Sequence, residues 1–138
     1  MAENRKIIII IDGAAPIQKF AENIAAIVGG FQGYSPAVIQ AESFSGSDLL
    51  PAQAFFLGCE EPNPLSFSYI EELFQHINLA GRSCGIFSSS GKALDYLSLL
   101  VSDSETTVGN PFLTGDGAAD GGALSDWIQD IIKKGDKK

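Results

Sequence analysis

Three short segments carry the side chains that could do chemistry. The first, Asp12-Gly13-Ala14-Ala15-Pro16, has one carboxylate and no Ser, Thr, Lys or Arg. The second, Cys59-Glu60-Glu61-Pro62-Asn63-Pro64, offers a thiol, two carboxylates and an amide. The third is Ser88-Ser89-Ser90-Gly91, whose hydroxyls can donate and accept hydrogen bonds. Cys59 is the candidate nucleophile, but a reactive thiolate needs a base or a positive charge beside it. Its neighbours Glu60 and Glu61 have the opposite effect. The one histidine, His76, falls well into a helix-patterned stretch and points away from the Cys59 loop. A phosphatase loop, Cys-x5-Arg, is absent, since Leu65 follows Cys59 and Ser90 follows Cys84 at that spacing. Histidine and cysteine are too few for a zinc site. Cys59 therefore reads as a structural thiol.

The elements that must position these segments alternate strand and helix. Ile7–Ile11 are five consecutive isoleucines, satisfied only where both faces of a strand are buried, as in the middle of a parallel sheet. The first strand is Lys6–Ile11. A helix follows, with Ile17, Phe20, Ala21, Ile24, Ile27 and Val28 on one face. Pro16 suits its first turn and Gly29-Gly30 its end. A second strand is expected at about Ala37–Ala41 and a short helix near Gly46–Leu50. The third strand is Ala54–Gly58. The next helix has Phe67, Ile70, Leu73, Phe74 and Ile77 on one face, with Ser68-x-x-Glu71 as a capping box and Gly81 as its stop. The fourth strand is Ser83–Phe87, followed by a helix with Leu94, Leu97, Leu100 and Val101. Ser89 or Ser90 could cap that helix. A weak fifth strand lies within Thr106–Leu113, interrupted by Gly109 and Pro111. A last helix carries Leu124, Trp127, Ile128, Ile131 and Ile132. Gly115–Gly122 matches no calcium-binding spacing and reads as a flexible connection, with Asp120 or Asp126 near the start of the last helix.

Such units give an α/β domain, a parallel sheet with helices on both faces. Five strands favour the order 2-1-3-4-5. Residues 1–138 form one domain, with 133–138 as a flexible tail. The three chemistry-bearing loops then converge at the carboxyl end of the sheet, where open α/β proteins bind ligands. In this order Cys59 and Cys84 lie at opposite ends of neighbouring strands and should not form a disulfide.

The net charge is −8, from 9 Lys and Arg against 17 Asp and Glu. That disfavours nucleic acid and anionic membranes, and suits a basic protein partner. No apolar run approaches the roughly 18 residues of a spanning helix, and the isoleucine run is too short for a signal-peptide core. The expected location is cytoplasmic, with reduced thiols.

From Lys6 to about Ile132 the chain resembles the flavodoxin-like family. The resemblance rests on the order of elements, Gly58-Cys59, Phe87-Ser88-Ser89-Ser90-Gly91, and Asn110-Pro111-Phe112-Leu113 before an acidic, Trp-bearing helix. It implies an FMN-binding electron carrier with a basic redox partner. It also implies cofactor contacts from Gly13, Ala14 and Ala15 to the phosphate, and from Cys59, Glu60, Asn63, Ser88, Ser89, Ser90 and Gly91 to the ring. The family holds the phosphate with Ser/Thr-x-Thr-Gly-x-Thr; here that stretch is Asp12-Gly13-Ala14-Ala15-Pro16-Ile17, without a hydroxyl. Asp12 would face a phosphate with like charge, costing about 4 kcal/mol at ~4 Å and an effective dielectric of 20. Pro16 removes a backbone N–H. The same fold without FMN, a non-catalytic binding or interaction domain, is the alternative, and riboflavin would suit the first loop better than FMN. Receiver domains share the strand order. They need an acid at the end of strand three and a Lys after strand five, where this chain has Gly58-Cys59 and Leu113-Thr114.

Overall fold

The computed structural model describes residues 5–49, 52–79, 81–109, 111–113 and 121–136. Strand β1 is Arg5–Ile11, helix α1 Ala15–Gly29, β2 Tyr34–Gln40, β3 Ala52–Gly58, α2 Ser68–Phe74, β4 Ser83–Ser88 and α3 Gly91–Val101. β5 is Thr107–Val108, β6 Phe112–Leu113 and α4 Gly121–Asp136. The sheet runs β2-β1-β3-β4-β5, with β6 also on β4, and every pairing is parallel. This is the 2-1-3-4-5 order expected from the sequence.

The isoleucine run serves both faces because side chains alternate along a strand. Ile8 and Ile10 pack with Phe55, Leu57, Ile86 and the buried faces of α2 and α3. Ile7, Ile9 and Ile11 pack with Phe56, Phe87, and the α1 and α4 stripes that include Phe20, Ile24, Trp127 and Ile131. Two glycines make room for aromatic rings on the neighbouring strand, Gly58 for Phe87 and Gly85 for Phe56. A Cβ on Gly58 would stand 2.3 Å from the Phe87 ring, and one on Gly85 2.8 Å from Phe56.

Several boundaries differ from the sequence reading. β2 starts earlier, at Tyr34, and takes Pro36 into register with Ile7; an edge strand tolerates the missing N–H. The expected short helix is two 3-10 turns, Ala41–Ser43 and Gly46–Leu49. The fifth strand is split: β5 pairs with Ser83 and Cys84, β6 with Phe87 and Ser88. Between them, Gly109 still donates to the Cys84 carbonyl, and Pro111 has no N–H to give. The capping box does not form. Phe67 is the N-cap of α2, Ser68 Oγ donates to the Leu65 carbonyl, and α2 stops at Phe74, before Gly81. The backbone of α4 continues to Asp136, through most of the expected loose tail; 137–138 lie outside the described residues. Asp126 lies beyond the first turn of α4. Asn110, Asp120 and most of Gly115–Gly122 lie outside the described residues.

Candidate functional site

The loops after β1, β3 and β4 meet at the carboxyl end of the sheet, and Asp12 joins the first two. Its Oδ1 accepts the Ala14 N–H at 3.0 Å, and its Oδ2 accepts the Glu60 N–H at 2.9 Å. The same carboxylate thus closes its own turn and ties it to the β3 loop. Gly13 makes that turn possible, with φ at +88° and a would-be Cβ 2.8 Å from Gln40 Oε1. Gln40 Nε2 donates to Gln18 Oε1 at 2.8 Å, and Gln18 Nε2 to Glu22 Oε2 at 3.0 Å. Ala14 is the N-cap of α1 and offers no side-chain cap; Ala15 opens the helix, with Pro16 behind it. The first-loop residues are therefore where the sequence put them, with the Ala14 amide already bonded to Asp12.

In the third loop, Ser88 is buried, and its Oγ accepts the Ser90 N–H at 3.0 Å. Ser90 is the N-cap of α3, accepting from the Ala93 N–H at 3.3 Å. Two of the three serines thus have local structural work, as the capping alternative expected. Ser89 is half-buried and Gly91 exposed.

Cys59 is fully buried at the end of β3. Burial first, then the charges of Asp12 and Glu61, push its thiol up to about 12. Cys84 is raised by burial alone. It pairs opposite Phe55, away from Cys59, and both thiols are free. At pH 8, neither is expected to react with iodoacetamide in the native protein, and both should react after denaturation. Fast native labelling at Cys59 would overturn the structural assignment. Because these folded-state values exceed the unfolded ones, the unfolded chain releases thiol protons first. Stability is therefore expected to fall above pH 9, through about 12 for Cys59; a urea midpoint series across that range measures it.

Asn63 adopts a left-handed backbone, φ 56°, and lines a different space. With Glu71, Gln75, Tyr96, Leu99 and Leu100 it bounds a groove of about 310 Å³ between α2 and α3. Tyr96 Oη donates to Glu71 Oε2 at 2.5 Å. Burial, followed by this bond, raises the Tyr96 phenol. The sequence reading missed this pair because it gave Glu71 to a cap. The available signal was a tyrosine on the face of α3 that also carries Leu100.

Among the described residues no group of three His, Cys, Asp or Glu could hold a metal ion. Nor is any helix long and apolar enough to cross a membrane.

The strand order and the three converging loops define a flavodoxin-like α/β fold. A short-chain flavodoxin associated with a non-canonical PDU bacterial microcompartment superposes with a TM-score of 0.77 at 10% identity, covering 98% of this chain and 99% of that one. The flavodoxin of Streptococcus pneumoniae TIGR4 gives 0.73 at 15% identity, covering 94% and 95%. Two-electron reduced Megasphaera elsdenii flavodoxin gives 0.68 at 19%, covering 90% and 98%. No family profile matches the sequence, and no curated protein matches it.

Proposed function

We propose that this chain is a flavodoxin-fold binding module that engages a basic protein partner and does not hold FMN by its phosphate. The observation that carries the reading is the Asp12 carboxylate on the Ala14 and Glu60 amides. An anion-binding loop keeps such amides for its ligand. Here a fixed internal carboxylate has taken the Ala14 amide of that loop, and a phosphate dianion would have to displace it against like charge. Ser88 and Ser90 each accept a backbone N–H in the β4–α3 turn. The net charge of −8 supports a basic partner. Two buried thiols suit a reducing, cytoplasmic setting.

The second reading, an FMN-dependent electron carrier, is favoured by the likeness to solved flavodoxins over nearly the whole chain. A visible spectrum of the purified protein, then fluorescence titrations with FMN and riboflavin, separates the two. The expected result is a colourless protein without micromolar affinity for FMN. Micromolar FMN binding would overturn the proposal in favour of the electron carrier. Riboflavin bound better than FMN would place the exclusion at Asp12 and restore a flavin-ring role to the loops after β3 and β4.

A further inference from the structure

We propose that the groove between α2 and α3 is the docking surface, and that its occupant is a basic segment of a partner protein presenting an apolar side chain. This rests on the protein-binding reading above and adds the place and the chemistry. Leu99 is 75% exposed at the groove wall, and Leu65, two residues beyond Asn63, is 91% exposed. Leu100 continues the apolar wall, and Tyr96 closes the floor with its hydroxyl held by Glu71. Large aliphatic groups left this open are ready to lose water against a partner.

Charge selects the partner's sign. Glu71 lines the groove. Glu72 follows it on α2, Asp95 precedes Leu99 by about one turn of α3, and Glu61 is in the loop that leads to Asn63. Lys92, one turn before Tyr96, is the cation of this stretch of α3. One lining carboxylate and three more next to lining residues in the chain, against one ammonium and in a chain at −8, favour a Lys- or Arg-bearing segment. An apolar side chain between Leu99 and Tyr96 would fix its register, with the basic residues on the acidic rim. That division of labour is the usual one, apolar centre and charged edge.

The test is an amide NMR titration with two synthetic peptides of equal charge, one alternating Leu and Lys, the other Ser and Lys. The Leu–Lys peptide is expected to shift Gln75, Tyr96, Leu99 and Leu100, and the Ser–Lys peptide to bind more weakly. Leu99→Ser should weaken the Leu–Lys peptide by about tenfold, the scale set by burying one leucine. Because Leu99 is exposed, the variant should keep the wild-type melting temperature. Equal binding of both peptides, or shifts confined to 12–15 and 88–91, would overturn the groove assignment. A concentration-dependent dimer that Leu99→Ser abolishes would give the groove to a second copy instead. FMN binding leaves these groove outcomes unchanged, so the two proposals fail separately.

Discussion

Phe87→Ala is expected to destabilise the domain by about 3–5 kcal/mol, the range for truncating a fully buried aromatic. Phe87 has 0% exposure. Its ring lies 5.2 Å from Phe20 and 6.4 Å from Trp127, centroid to centroid. Across the sheet it fills the space that Gly58 leaves, since a Cβ there would meet it at 2.3 Å. The rings and side chains around it belong mainly to α1 and α4, with Phe112 of β6 beside it. With a urea m-value of about 1–3 kcal/mol/M, the midpoint should fall by roughly 2 M. Against a typical total of about 5–15 kcal/mol, the variant would be marginal. The position also matters for the site. Gly58 ends β3 just before Cys59, and Ser88 follows Phe87, so both loops rest on this contact. A midpoint shift below about 0.5 M would mean that the core re-forms around alanine and that the contact does not set the loops.

The sheet was legible because its signals are strong and local. Ile7–Ile11 announced a strand buried on both faces, and the α1 stripe of Ile17, Phe20, Ala21 and Ile24 is buried as its spacing required. Errors fell where tertiary contacts outweigh local preference. Glu71 had the spacing of a capping box, yet a tyrosine far along the chain offers it a hydrogen bond. β2 starts at Tyr34, three residues before the expected Ala37, and includes Pro36, whose missing N–H is tolerated at an edge. The site was half legible. Asp12 was conspicuous as a charge after β1, and its poor fit to a phosphate could be read from charge alone. Its second bond could not, because Glu60 is 48 residues away and only the register of β1 on β3, Ile11 opposite Gly58, brings its amide to Oδ2. Asn63 belonged to the right loop but lines the α2–α3 groove and has a left-handed backbone, neither of which composition reveals.

Asp12→Ala is expected to cost about 2–3 kcal/mol. Each bond from a backbone amide to a charged acceptor contributes on the order of 1.5–3 kcal/mol, reduced here because the carboxylate is only partly buried. Asp12→Asn keeps one acceptor oxygen and turns an NH2 toward the other amide, so it should lose about half as much. Urea denaturation of the three proteins measures this order. The same variants give opposite signs for the two readings of the site. If the carboxylate occupies a loop that has no phosphate to hold, removing its charge lowers stability and raises FMN affinity, by up to the ~4 kcal/mol of like-charge repulsion at close range. If the Asp12 tie is part of a working FMN site, both stability and FMN affinity fall together. Stability alone does not decide, because loss of a loop tie destabilises under either reading. The sign of the change in FMN affinity does, and it depends on the Ala14 amide that Asp12 holds where a phosphate loop keeps its amides open.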